Sequence, residues 1–91
     1  MTPAAVFLKD PAAVLDYSLD FTDWLVEGEV LTAASWSVPG GLTKDSDTFS
    51  STSTTVWLSD GTVGTDYTVT AQVSTATRTD ERSVLIKVRN R

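Results

Sequence analysis

The feature that most constrains the fold is an alternation of apolar and polar residues over positions 54–75, TTVWLSDGTVGTDYTVTAQVST. Val56 and Leu58 share one parity before a glycine-containing turn, and Tyr67 opens a second alternating run after it. A two-residue period is that of a β-strand, and glycines suit turns because they take positive φ without steric cost. An apolar face backed by a polar one is typical of antiparallel sheets with one solvated side. We therefore predict a β-hairpin here.

Tyr67 has two interpretations, both left open by the sequence. A tyrosine directly after such a turn suits the tyrosine corner of immunoglobulin-like sandwiches, in which the hydroxyl bonds back to the preceding backbone. It also suits a residue at the rim of the core, with its ring buried and its hydroxyl in water.

Further strands are predicted over residues 14–21, 30–38 and 83–89, with a short polar strand over 48–52 and polar connections between them. Residues 11–26 also show helical spacing, but aspartates at alternate positions favour a strand. Trp36 is predicted to lie in the core, as are Val84, Ile86 and Val88. The chain of 91 residues is close to the roughly 100 of an immunoglobulin-like domain. We predict an all-β fold, a small immunoglobulin-like antiparallel β-sandwich over residues 10–91, preceded by an N-terminal arm or edge strand over residues 1–9.

The composition argues against catalysis and metal binding. The sequence contains no cysteine and no histidine, so it lacks thiolate ligands, the commonest metal ligand and the usual general base near neutral pH. The aspartates at positions 16, 20 and 23 fall on a predicted solvated surface, and residues 45–47 lack the glycine and distal glutamate of a calcium loop. We predict no catalytic residue, no metal site and no cofactor.

The charge is divided along the chain. Residues 1–47 carry eight acids and two lysines, or −6, whereas residues 78–91 carry five basic residues and two acids, or +3. Either the two ends attract each other within the fold, or an acidic face of one copy meets a basic edge of the next. An acidic chain is a poor ligand for nucleic acid. The sequence shows neither a membrane-spanning run nor a signal peptide, so we expect no nucleic-acid or membrane partner.

Eight residues are predicted to contact partners. The N-terminal apolar triplet needs a surface to cover it, which is either its own sandwich or a neighbouring subunit that it joins at a sheet edge. Trp57 has the opposite parity to its buried neighbours, and the C-terminal arginines give one edge a positive charge. The candidates are Val6, Phe7, Leu8, Trp57, Arg78, Arg82, Arg89 and Arg91.

Four segments carry a family resemblance in the same order: LDYSLDFTDWL, SWSVPGGLT, TTVWLSDGTVGTDYTVT and RTDERSVLIKVRNR. Together they resemble the fiber-tail adaptor proteins of tailed bacteriophages, for which an immunoglobulin-like sandwich is expected. The resemblance implies a non-enzymatic structural protein, assembled in the bacterial cytoplasm and carried on the virion. It implies binding to other virion proteins, such as tail fiber, tail, neck or capsid proteins, in several copies of a symmetric assembly.

Three alternatives stay open. The first, within the same class of virion proteins, is a capsid decoration or head-completion protein. The second, in a different class, is a carbohydrate- or host-surface-binding module whose tryptophans stack on sugars. A small hydrolase is the third, and the lack of histidine counts against it.

Overall fold

The computed structural model describes residues 5–90. This part of the chain forms seven strands and contains no helix. The strands are β1 (Ala5–Lys9), β2 (Leu15–Asp20), β3 (Ala33–Ser37), β4 (Leu42–Phe49), β5 (Ser53–Asp60), β6 (Asp66–Ser74) and β7 (Thr79–Val88).

The strands form two sheets that pack face to face. The four-stranded sheet has the order β1-β7-β6-β3 and the three-stranded sheet the order β2-β5-β4. This arrangement confirms the predicted all-β, immunoglobulin-like sandwich. The β1–β7 pair is parallel and the other four pairs are antiparallel. The parallel pair arises because the chain leaves β1 for the opposite sheet, which leaves β1 free to run beside the last strand in the same direction.

The predicted hairpin of β5 with β6 is wrong. Strand β5 pairs with β2 and β4, and β6 pairs with β7 and β3, so residues 61–65 cross from one sheet to the other. Both strands alternate because each buries one face in the shared core: Val56 and Val69 are fully buried from opposite sides. Alternation identifies the buried face of a strand, and it says nothing of which strand lies beside it.

Two other predicted boundaries differ from the structure. Strand β4 covers residues 42–49, whereas the prediction placed a strand at 48–52, and a register shift at Asp45 interrupts its pairing with β5. Most of its side chains are exposed on both faces, so it lacks the alternation that identifies a half-buried strand. Strand β7 begins at Thr79 within a predicted polar connection, because Thr79 pairs with Ser74 at the end of β6.

The core confirms the predicted inward faces. Val84, Ile86 and Val88 of β7 are fully buried. Trp36 of β3 is 5% exposed, and its indole Nε1 donates a 2.9 Å hydrogen bond to the hydroxyl of Thr54 in the opposite sheet. This bond joins the two sheets across the core, and a buried indole N–H needs such a partner.

Tyr67 forms the tyrosine corner. Its ring is buried, and its hydroxyl accepts a 2.9 Å hydrogen bond from the backbone amide of Thr62, five residues upstream. Hydrogen bonding to Thr62 lowers the pKa of Tyr67. Of the two interpretations of this residue, the structure supports the corner, which fixes the crossing from β5 to β6.

Strand β1 is held to the sandwich by inward side chains, above all those of Phe7 and Lys9. The ring of Phe7 packs against that of Tyr17, with centroids 4.9 Å apart. The amine of Lys9 is fully buried and donates to the carbonyl oxygens of Asp60, at 2.7 Å, and Asp10, at 2.9 Å. Burial lowers the pKa of Lys9, and nearby aspartates oppose that shift. Residues 1–4 of the predicted arm lie outside the described residues.

Candidate protein–protein interface

Two predicted contact residues of β1 point away from the core. Val6 is 53% exposed and Leu8 is 49% exposed, on the outer face of the four-stranded sheet. The parallel register places Val6 beside Leu85 and Leu8 beside Lys87. We call these four residues the β1 face. Phe7, the third residue of the predicted triplet, has the opposite parity and packs inward.

Trp57 lies at the centre of the other outer face. It is 41% exposed on β5, the middle strand of the three-stranded sheet. Its cross-strand neighbours are Asp16 on β2 and Ser46 on β4. Beside it on β5, the Ser59 hydroxyl donates to the carboxylate of Asp45 at 3.1 Å. We call these five residues the Trp57 face: an exposed indole surrounded by carboxylates and hydroxyls.

Arg78 is engaged within the fold. Its guanidinium donates to both carboxylate oxygens of Glu29 and to the Trp24 carbonyl oxygen, at 2.9 Å, and stacks 4.3 Å over the Trp24 indole. Glu29 also accepts a 3.0 Å hydrogen bond from the Thr75 hydroxyl. The hydrogen bonds from Arg78 lower the pKa of Glu29 to about 2 and raise that of Arg78. This network pins loop 21–32 to the β6–β7 turn.

Two of the other predicted arginines, Arg82 and Arg89, are also engaged within the fold. Arg82 stacks 4.3 Å over Phe21 and lies 3.5 Å from the Asp80 carboxylate. Arg89 forms a 2.8 Å ion pair with Asp66. Arg91 lies outside the described residues. The opposite charges of the chain thus attract each other within the fold at Arg78 and Glu29, and a contact role for the arginines stays a prediction.

Exposed valines at the two ends of the sandwich were missed in the sequence. Val26 and Val30 lie in loop 21–32, next to turns 50–52 and 75–78. We call these two residues the Val26 end. Val14 and Val63 lie in the connections at the other end of β5, and we call them the Val63 end. Val26, Val30 and Val63 each lie within two residues of a glycine in a turn-like segment, which was the available signal, since connecting segments run over the surface.

Both ends are fixed by hydrogen bonds. At the Val26 end, the backbone amide of Val26 donates to Glu29 at 3.1 Å, and the Glu29–Arg78 network holds the rest of the loop. At the Val63 end, Tyr67 holds Thr62, and the amide of Gly64 donates to the Val88 carbonyl oxygen at 2.9 Å. The exposed valines are therefore presented from ordered loops.

Among residues 5–90, no three His, Cys, Asp or Glu side chains are grouped as ligands of a metal ion would be. In the same range, no helix is long and apolar enough to cross a membrane.

The likeness to a solved structure concerns the fold. The chain is similar to the endo-fucoidan hydrolase MfFcnA4 from glycoside hydrolase family 107, with a TM-score of 0.65 and 20% sequence identity. The match covers 96% of this chain and 12% of the hydrolase chain, so the sandwich corresponds to a small part of that enzyme. At this identity the likeness shows the architecture alone. No curated protein matches the sequence.

The family comparison covers most of the sandwich. The sequence model for the Podophage GP4 fiber-tail adaptor protein gp77 matches residues 9–87, from the end of β1 almost to the end of β7. A match over so much of the chain confirms the resemblance carried by the four sequence segments. The chain therefore belongs to the Podophage GP4 fiber-tail adaptor protein gp77 family of phage structural proteins.

Proposed function

We propose that this protein is a non-enzymatic adaptor that joins a tail fiber to the tail or neck of a phage particle by protein–protein contacts. The observation that carries the proposal is the family match over residues 9–87. The geometry supports it because a joining protein needs two separate contact surfaces, and the sandwich exposes apolar side chains at both of its ends.

The fixed ends suit this role. An interface that is ordered before binding loses less conformational entropy on association, which leaves more of the contact energy as affinity. The Glu29–Arg78 network orders the Val26 end, and the tyrosine corner orders the Val63 end. The Val26 end and the Val63 end lie at opposite ends of β5, so the two partners would bind separate surfaces of the sandwich.

The proposal extends to location and partners. The protein is made in the host cytoplasm and becomes part of the virion, where several copies in a symmetric arrangement bind other virion proteins. We propose no nucleic-acid, membrane or cofactor binding.

A test changes each end separately in the parent phage. We expect Val26→Asp and Val63→Asp particles each to lose fibers, because a carboxylate in an apolar contact must be desolvated without a partner. Particles of one variant keep the adaptor on the tail without fibers, and particles of the other lack both. The control is Ser35→Asp, an exposed position on the outer face of β3, which keeps its fibers.

Cryo-electron microscopy of wild-type and variant particles reads the outcome. Wild-type density for the sandwich between tail and fiber supports the proposal. Density repeated over the capsid shell would make the protein a decoration or head-completion protein. Absence from the particle would favour a carbohydrate- or host-surface-binding module, and fully fibered, infectious particles of both end variants would also overturn the adaptor role.

A further inference from the structure

We propose that copies of this chain associate head to tail, with the β1 face of one copy against the Trp57 face of the next. The inference rests on the proposed function in one respect: an adaptor present in several copies needs lateral contacts that leave both ends free for other proteins. A second copy is the occupant because each face complements the other in charge, and both expose apolar side chains.

The exposed apolar residues lie on opposite faces of the sandwich. Val6 and Leu8 lie on the outer face of one sheet, and Trp57 lies on the outer face of the opposite sheet. The core separates these faces, so a single copy cannot cover one with the other. Stacking two copies buries the aliphatic pair of one copy against the indole of the next, and aromatic residues are common at the centre of such contacts.

The two faces carry opposite charges. On the β1 face, Lys87 forms an ion pair with none of the carboxylates described in residues 5–90. Its cross-strand neighbour Asp66 is paired with Arg89, so these three residues together carry +1. The Trp57 face has the opposite sign, with carboxylates at Asp16 and Asp45.

The basic residue next to the Trp57 face, Lys44, is already paired with a carboxylate of its own strand. Lys44, the residue before Asp45 on β4, lies 3.6 Å from the Asp47 carboxylate. Neither Asp16 nor Asp45 forms an ion pair within residues 5–90. The Asp45 carboxylate interacts at longer range with the buried amine of Lys9, so Asp16 is the carboxylate most available to a positive group of another copy. A basic face against an acidic one improves both the rate and the specificity of association.

The same charges favour a head-to-tail contact over a two-fold symmetric one. In a two-fold contact each surface patch meets itself, which would bring the basic β1 face against its own copy, or the acidic Trp57 face against its own copy. Like charges across an interface oppose binding. A head-to-tail contact avoids this repulsion and leaves an unused face on each outer copy, so the assembly continues into a closed ring or an open filament.

The test is a solution measurement on the full chain without fiber or tail proteins. Sedimentation velocity over a range of protein concentrations is expected to show growth beyond the monomer, weakened by salt. Asp16→Lys and Lys87→Glu are each expected to weaken association by more than about tenfold, because each places like charges in the contact. The matched control is Asp23→Lys, a charge reversal in loop 21–32 outside both faces, which associates as the wild type does.

Mixing the two variants gives the sharper result. The unaltered Lys87 of the first variant meets the unaltered Asp16 of the second, and the exchanged charges meet at the next contact. We therefore expect the equimolar mixture to associate more strongly than either variant alone. A wild-type chain that stays monomeric, or single variants that associate normally, would overturn the inference, as would a mixture that recovers nothing.

The two proposals fail in different experiments. A chain that is monomeric in solution, with end variants that lack fibers, leaves the adaptor role standing and overturns the head-to-tail contact. A chain that associates as expected, with fully fibered end variants, supports the contact and overturns the adaptor role.

Discussion

Replacing Trp36 with alanine tests the packing of the core most directly. The indole is 5% exposed, so the substitution leaves a cavity between the two sheets and removes the hydrogen bond to Thr54. Truncation of a buried tryptophan costs about 3–5 kcal/mol of unfolding free energy. A domain of this length has about 5–14 kcal/mol in total, at roughly 0.05–0.15 kcal/mol per residue. At the lower end of this range the variant would be close to unfolding, whereas at the upper end about 9–11 kcal/mol would remain.

A second substitution separates the hydrogen bond from the packing, and a third serves as a control. Trp36→Phe keeps much of the ring volume and loses the N–H group, for which we expect about 0.5–1.5 kcal/mol from the hydrogen bond and a smaller packing loss. The Thr54 hydroxyl keeps its 3.0 Å bond to the Thr48 carbonyl oxygen, so no buried group is left without a partner. Trp57→Ala is the matched control, since surface substitutions usually change stability by less than about 0.5 kcal/mol.

Urea unfolding followed by circular dichroism measures all three changes. With a slope near about 1 kcal/mol/M, the Trp36→Ala midpoint should fall by about 3–5 M, or the variant should be unfolded in buffer. Dilute protein keeps self-association out of the measurement. A loss below about 1 kcal/mol for Trp36→Ala would mean that the inward face of β3 is assigned wrongly. An equal loss for Trp57→Ala would mean that the outward face of β5 is assigned wrongly.

Two other predictions concern the fixed ends of the sandwich. Tyr67→Phe removes the acceptor of the Thr62 amide and should lower the unfolding free energy by about 0.5–1.5 kcal/mol in the same urea assay; an unchanged midpoint would mean that the corner adds no stability. Glu29 has a folded-state pKa of about 2, against an ordinary 4.5. Its stabilisation is therefore fully present above about pH 4.5 and lost as the pH falls toward 2. Glu29→Gln should lower the thermal midpoint at pH 7 and reduce its fall between pH 5 and pH 2, whereas parallel wild-type and variant curves would contradict the ion pair with Arg78.

The inward faces could be predicted because they depend on local periodicity. Leu58 and Ile86 point inward and Trp57 points outward, as their parities require, since successive side chains of a strand point to opposite sides. The tyrosine corner was open to prediction for the same reason, because its hydrogen bond spans five residues. These features need no knowledge of distant parts of the chain.

The exposure of the candidate contact residues was predicted in part. Val6, Leu8 and Trp57 are exposed as parity requires, whereas Phe7 lies inward because it alternates with its two neighbours. The engagement of Arg78 depends on Glu29, 49 residues away along the chain. No local sequence pattern predicts such a pair. The sequence alone therefore does not distinguish an arginine that is bound within the fold from one that is free to contact a partner.

The sequence by itself determined the all-β class, the buried face of each alternating strand and the family. The tertiary structure alone decided which strands are neighbours: β5 and β6 in different sheets, β1 parallel to β7, and polar β4 as a full edge strand. The physical reason is that alternation reports whether a side chain faces the core, and it is the same whichever strand lies alongside. Neighbours are set by how two sheets close over one shared core, which involves the whole chain at once.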